Sequence, residues 1–312
     1  MRVRVLGSAA GGGFPQWNCG CGNCAGARRG DRGLRPRTQE SVAVSADGES
    51  WFLINCSPEI RSQIESFPAL WPRQPRHSPL AGIILTNGDL DHCLGLLSLR
   101  ESHPLVVYAT EAVRAGFTED NVLYRTLARF PGQVTWRRLE LDREQVLGGE
   151  GSGGGADGGG PRLTVTALAA PGKRPLHLEA TRAASEEDNV GLLFREPQSG
   201  ARLAYFSGLA GPSPAVERAA DGAGALFLDG TFWSSDELIA AGLGTRRAEE
   251  MAHWPIGGPE GSLGFLARAR ARRRILIHVN NTNPILREDG AERRALAAAG
   301  VEVAEDGLEL AL

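Results

Sequence analysis

Lysine is almost missing from this chain: Lys173 stands alone among 34 basic residues, the rest being arginine. Beside 41 glycines and abundant alanine, that bias reads as genomic base composition, and no function is drawn from it. A charge of one sign is missing too. The basic residues nearly cancel 37 acidic ones to leave a net charge of -3, which gives no electrostatic footprint for nucleic acid or an anionic membrane. No apolar run approaches the ~18 to 20 residues of a membrane span. The N-terminal Met1-Arg2-Val3-Arg4-Val5-Leu6-Gly7 alternates like a strand and lacks a charged-then-apolar signal region. These absences predict a cytoplasmic protein with no membrane insertion and no nucleic-acid partner. Cysteine is scarce, five in all, yet Cys19, Cys21 and Cys24 crowd into six residues. In a reducing compartment such clustering favours a metal over disulfides.

What is present suffices for a folded core. A chain of 312 residues with 42% apolar composition can bury roughly three quarters of the surface it exposes when unfolded, which excludes disorder for the bulk. Short apolar runs bounded by turn residues predict strands at Arg2–Leu6, Ser41–Ser45, Trp51–Ile54, Gly82–Thr86 and Leu105–Ala109. The second half repeats the theme at Leu163–Leu168, Val190–Phe194, Leu203–Phe206, Ala225–Leu228 and Ile275–His278. Helical patterns fall at Leu94–Arg100, Asn121–Phe130 and Ser262–Arg272. Strand clusters punctuated by helices in both halves predict two packed sheets with helices outside. Residues 148–160 are nearly all glycine, cannot bury apolar surface, and are expected to form a flexible surface loop, with an interdomain linker as the alternative.

Two glycine-rich stretches resemble phosphate cradles at first sight, but Gly7-Ser8-Ala9-Ala10-Gly11-Gly12-Gly13 lacks the Lys-Ser/Thr of a P-loop and the spacing of a dinucleotide fingerprint, which excludes nucleotide binding there. Its expected use is a close backbone approach, which glycine permits. Cys19-Gly20-Cys21-Gly22-Asn23-Cys24 places three thiols within two turns of loop, suited to tetrahedral Zn²⁺. The fourth ligand is open: Cys56, a histidine or an asparagine amide oxygen. Catalytic thiol chemistry needs a single activated cysteine beside a base and is disfavoured.

The sharpest segment runs Ile83-Ile84-Leu85-Thr86-Asn87-Gly88-Asp89-Leu90-Asp91-His92-Cys93. A buried strand ends, ligand-type side chains come next, and a helix begins. Taken alone, Asp91-His92 also reads as a capping aspartate beside a surface histidine. The wider pattern favours a metal site. Asp229 ends a second apolar strand and His278 a third, and strand ends are where ligands assemble in α/β folds.

The Thr86-x-x-x-Asp-x-Asp-His-x-x-Gly-Leu string, the later Asp229 and the late His278 resemble the metallo-β-lactamase fold, whose first motif is H-x-H-x-D-H. More closely, Gly7 to Cys19, Pro36-Arg37-Thr38-Gln39, Gly95 to Glu101, Asp229-Gly230-Thr231 and His278 to Pro284 resemble the PqqB family of pyrroloquinoline quinone (PQQ) biosynthesis. This resemblance covers nearly the whole chain. It implies a single α/β domain over residues 1–312, an αββα sandwich of two mixed sheets with outer helices.

Departures from the lactamase pattern are informative. Asn87 and Asp89 stand where the fold usually puts histidines, and none occurs near Pro171-Gly172. The first metal position is dismantled, whereas the second keeps Asp91, His92, Asp229 and His278. Two imidazoles with one or two carboxylates describe a non-haem Fe(II) centre using O₂ better than a dinuclear zinc hydrolase. The resemblance implies the same: hydroxylation of the tyrosine of a precursor peptide, or of its cross-linked Glu-Tyr product, on the way to the quinone. Asp89 and His253 are the expected proton-handling residues, His253 by family analogy, with a core or loop histidine as the alternative. By the same analogy the residue three past His278, here Asn281, reaches the cysteine-bound zinc. Expected partners are the peptide or Glu-Tyr product, other PQQ biosynthesis enzymes and a second copy of the chain as a homodimer. His77, His103 and His177 carry no motif and read as surface or loop residues. Two other functions compete: a single-zinc hydrolase of the parent fold, which would work without oxygen, and a carrier or transport helper for PQQ or its precursor.

Overall fold

The computed structural model describes residues 1–101, 103–119, 121–148, 162–180 and 182–312. Apart from Gly148, the glycine-rich segment expected to be a flexible loop lies outside the described residues.

The β-branched and aromatic runs form fourteen strands among the described residues: β1 (Arg2–Gly7), β2 (Ser41–Ser45), β3 (Trp51–Ile54), β4 (Leu80–Ile84), β5 (Leu105–Ala109), β6 (Val134–Arg138), β7 (Glu144–Val146), β8 (Thr164–Ala169), β9 (Val190–Glu196), β10 (Ala201–Phe206), β11 (Ala225–Asp229), β12 (Arg273–Ile277), β13 (Glu302–Val303) and β14 (Glu309–Ala311). They build two seven-stranded mixed sheets, ordered β14-β1-β2-β3-β4-β5-β6 and β13-β12-β11-β10-β9-β8-β7. In the first, β3 through β6 pair in parallel; in the second, β10 through β13 do. The remaining pairs are antiparallel.

Period-two alternation sorts side chains into layers. Phe52 and Ile54 of β3 meet Leu203 and Tyr205 of β10, Ala225 and Phe227 of β11, and Ile275 and Ile277 of β12 in one core between the sheets. The alternate residues face outward. Leu226, Leu228 and Leu276 pack under the helices α5 (Pro214–Ala220), α7 (Ser262–Arg268) and α8 (Ala291–Ala298), completing with α1 (Gly22–Arg29) one outer layer. Leu53 and Ile83 pack under α2 (Ile60–Glu65) and α4 (Glu111–Thr118) on the other side. The result is the expected helix-sheet-sheet-helix sandwich; α3 (Leu90–Cys93) and α6 (Glu237–Ala240) are short turns at its edge.

Several local expectations are corrected. Leu94–Leu99 and Val122–Thr126 are 3₁₀ rather than α-helical. At Gly95 a Cβ would fall 2.1 Å from the Ser57 carbonyl, so the chain turns tightly against its neighbour there. The helix expected over Ser262–Arg272 stops at Arg268. The cysteine segment is only half loop, since Cys24 lies in α1, whose N-cap is Cys21.

Candidate metal centre

β4, β11 and β12 end at one edge of the sandwich, and the residues at or just past these ends meet there. Past β4 the chain enters α3, which carries Asp91 in its first turn and buries His92. Asp229 is the last residue of β11, and His278 comes directly after β12 with a left-handed φ of 62°. Burial of His92 at 2% exposure rules out a surface histidine, and Asp89, in the N-cap position of α3, makes no side-chain cap.

The donors form two groups that share His278: Asp91 with His92 and His278, and Asp229 with His253 and His278. Within each group the ligand atoms lie within 4.8 Å of one another. Asp91 Oδ2 is 3.1 Å from His278 Nε2 and 3.6 Å from His92 Nε2. Asp229 already carries several contacts within the protein. Its Oδ1 accepts from Thr231 N and from the Thr231 hydroxyl at 2.6 Å, and its Oδ2 accepts from Leu209 N and lies 2.7 Å from His253 Nδ1. Because the Thr231 hydroxyl gives its hydrogen to Asp229, its oxygen is free to accept Nδ1–H of His278 at 2.8 Å. With Nδ1–H held there, Nε2, which in the metal-free protein carries the proton shared with Asp91, is the nitrogen a cation would take in exchange for that proton.

Titration accords with the packing. Burial drives the His92 imidazole down to about 4 although Asp91 is beside it. Burial opposes charge on His278 as well, but the Asp91 hydrogen bond and charge push that ring up to about 9. Asp91 is buried yet held far below the usual carboxylate range by His92 and His278. Asp89 is pushed up to about 6, first by burial and then by the charge of Asp91. Asp229, likewise buried, is kept low by His253, His278 and Thr231.

The position left without histidines is filled by amides. Asn87 Nδ2 donates to Asn189 Oδ1 at 3.3 Å, and Asn189 Nδ2 donates to the Gly208 carbonyl at 2.9 Å. A Cβ at Gly172 would sit 2.5 Å from Asn189 Nδ2, so that backbone has no room for a ligand side chain. On the other side of the centre a Cβ at Gly11 would come 3.3 Å from Asp91 Oδ2, the close approach expected of the first glycine stretch.

A cavity of about 470 Å³ opens over the donors. Asp89, Asp91, His92, His253 and His278 line it, with apolar Leu90, Leu176, Phe232, Leu238 and Met251 around them and Lys173 and His177 at its wall. His177 thus belongs to the cavity rather than to an unrelated surface. Residues given no role from the sequence complete the site: Glu40 and Asn55, outside any motif, stand with Thr86 behind His92, and Thr231 stands behind His278. Asn55 comes directly after strand β3 just as His278 does after β12, so the strand-end signal that marks His278 is present there too. No sequence signal marks Glu40.

The second candidate centre is the cysteine set. Cys19, Cys21 and Cys24 form a third donor group. Burial is the largest influence on Cys21, but backbone and thiol hydrogen bonds override it and lower the thiol, while burial pushes Cys24 up to about 11. Asn281 points its amide at Cys24 Sγ and Cys21 Sγ, 3.4 and 3.7 Å away. Cys56 is buried elsewhere, next to Cys93, and does not join the set. Asn23 ties the knuckle to the segment after His278 by donating to the Asn281, Thr282 and Asn283 carbonyls.

A family model described as a beta-lactamase superfamily domain matches residues 50–279. Over the full length of both chains, the sequence is 42% identical to coenzyme PQQ synthesis protein B of Pseudomonas paraeruginosa and 43% identical to that of Methylorubrum extorquens. The fold is similar to the crystal structure of Zn²⁺-bound PqqB from Methylobacterium extorquens, with a TM-score of 0.89, 42% identity and complete coverage of both chains. A diphosphatase of the PhnP family shares the fold at a TM-score of 0.63 and 20% identity, covering 99% of this chain and 97% of that one.

Proposed function

The chain belongs to the coenzyme PQQ synthesis protein B family of the metallo-β-lactamase fold and takes part in PQQ biosynthesis, and on that premise we propose that it is an Fe(II)- and O₂-dependent hydroxylase of a tyrosine ring. The observation that carries this reading is a donor set of one carboxylate and two imidazoles, Asp91, His92 and His278, beside a position that has lost its histidines and where Asn87 donates to Asn189 instead. That set suits mononuclear iron with open coordination sites, whereas dinuclear hydrolysis needs both positions. The substrate is the precursor peptide's tyrosine or the cross-linked Glu-Tyr product.

Asp91, His92 and His278 would hold the iron; Asp229, expected from the sequence as a further ligand, would instead orient His253 and Thr231, which its oxygens already contact. Iron bound there would supply the activation of O₂. One oxygen atom replaces a ring hydrogen as hydroxyl and the other leaves as water, with an electron pair and two protons drawn from an external reductant. The chain's own residues do the rest. Leu90, Leu176, Phe232, Leu238 and Met251 offer an apolar wall for the aromatic ring and exclude water. Lys173 faces the cavity as its sole lysine, placed to pair with a substrate carboxylate. Asp89, near neutrality in its titration, moves protons at its carboxyl. His253, which lines the cavity with its Nδ1 held by Asp229, would exchange a proton through its other ring nitrogen. Cys19, Cys21 and Cys24 would hold a structural zinc, a reading supported by their donor geometry; Asn281 now turns its Nδ2 toward Cys24 and Cys21, so its amide oxygen would have to turn inward to be the fourth ligand.

The test is anaerobic reconstitution with Fe(II), addition of a Glu-Tyr substrate and then O₂, and finally mass spectrometry of the product. Oxygen added only when both iron and O₂ are present is the expected result. Product formed without O₂ would replace this reading with hydrolysis, and tight binding of PQQ with no turnover would replace it with carriage.

A further inference from the structure

Glu40 precedes β2 and is 1% exposed, with its Oε1 lacking any hydrogen-bond partner. A carboxylate so placed is costly unless charge faces it. Its Oε2 lies 3.8 Å from His92 Nε2 and accepts from Asn55 Nδ2 at 2.8 Å. The orientation of Asn55 is fixed, because the Thr86 backbone N–H can only donate and does so to Asn55 Oδ1 at 2.9 Å. The Thr86 hydroxyl stands 3.1 Å from that same oxygen and 3.1 Å from His92 Nδ1. When His92 binds a cation through Nε2, its hydrogen is on Nδ1. Every donor then runs one way: His92 to Thr86, Thr86 to Asn55, Asn55 to Glu40.

We propose that Glu40 is the positioning residue of His92, the terminal acceptor of this chain and a buried negative charge that balances the metal. The inference rests on reading Asp91, His92 and His278 as the metal centre. It parallels the shorter chain from His278 through Thr231 to Asp229. Asn55 Nδ2 also lies 2.9 Å from His92 Nδ1 and competes with the Thr86 hydroxyl for that nitrogen. An amide hydrogen donated there would put the ring hydrogen on Nε2 and mask the ligand. Drawing the amide toward a carboxylate weakens that competition, since charge-assisted hydrogen bonds are the stronger.

The experiment compares wild type, E40Q and T86V, each with the cysteine site loaded with zinc. Fe(II) affinity is read anaerobically by chelator competition, and the Nδ1–H resonance of His92 by NMR after zinc is placed at the histidine centre. The expected result is an affinity about 10- to 100-fold weaker in both variants, the range typical of residues supporting a metal ligand. The His92 Nδ1–H signal should exchange faster in E40Q, while the melting temperature of the iron-free protein stays at or above that of wild type. Unchanged affinity in E40Q or T86V overturns the proposal. So does an iron-free E40Q protein that melts lower yet binds iron normally, which would make Glu40 a packing residue. Should E40Q fail to fold, T86V alone decides, because it cuts the chain without touching the buried charge. Wild type that takes up no Fe(II) would instead bring down the metal-centre reading, together with the inference resting on it.

Discussion

A left-handed backbone costs an ordinary residue on the order of 1–3 kcal/mol, and such strain persists only where the surroundings impose it. Among the described residues five non-glycines adopt it, and three of them, Asn55, Ala252 and His278, are part of the centre or adjoin it. For His278 the reason is visible: the φ of 62° turns the ring back toward Thr231 and Asp91 at once. Replacing His278 by Ala should therefore abolish iron binding at the centre while the cysteine zinc remains, as metal analysis would reveal; full iron occupancy would refute the ligand assignment. Lys173→Met should leave iron content intact and raise KM about tenfold for a substrate bearing a carboxylate, but not for its amide, in line with a hydrogen bond to a charged group. Equal KM values for the two forms would remove Lys173 from recognition. The donors themselves are legible in the sequence because aspartate and histidine at or soon past the ends of apolar strands are conspicuous. Glu40 is not, since a glutamate before a strand looks like a solvent-facing turn until Asn55 and His92 close around it in the fold.

Between elements, the cysteine knuckle and the His278 segment behave as one piece. Asn23 in α1 holds the three carbonyls of Asn281, Thr282 and Asn283, and Ala10 of the first glycine stretch donates to the carbonyl of Val279, next to His278. Loss of the knuckle metal should thus loosen a ligand of the other centre. Cys24→Ser is expected to lower the melting temperature and, in the same protein, to weaken iron binding severalfold, though Cys24 touches none of the iron donors; an unaltered iron affinity would show the centres to be independent. The cysteine spacing locates the knuckle but reads as loop throughout, because glycine-rich spacing hides a helix that takes in its last cysteine. The 3₁₀ turns after α3 and α4 are similarly illegible: apolar periodicity is the same at first glance, and the tight approach at Gly95 is a tertiary fact.

At the scale of the whole molecule, two packed sheets are readable from two clusters of apolar runs, while strand order is not, since β14 joins β1 and β13 joins β12 from the end of the chain. One consequence of that closure concerns acidity. The candidate donors sit where the strand ends meet at one edge of the sandwich, and in the metal-free protein their titrations and that of Glu40 pull stability down toward both acid and alkali. His278 rises from 6.5 to about 9 on folding, so its contribution is complete below 6.5 and disappears as pH climbs through 9. Glu40 rises from 4.5 to about 8 through burial, so it stays protonated in the fold while the unfolded chain ionises, and stability falls as pH climbs between those values. On the acid side, His92 falls from 6.5 to about 4 and is neutral in the folded protein, so stability declines as pH drops from 6.5 toward 4 and the unfolded ring takes up the proton first. Asp91, held low, adds to that acid loss. The metal-free protein should accordingly melt highest in weakly acidic to neutral solution and lose stability toward pH 9. A divalent ion at the centre replaces the proton on His278 and faces Glu40 with positive charge, so loading should flatten the alkaline decline. Thermal melts of the two forms across pH 5 to 9 would check it, and a metal-free protein whose stability climbs steadily to pH 9 would contradict the coupling of His278 and Glu40 to the fold.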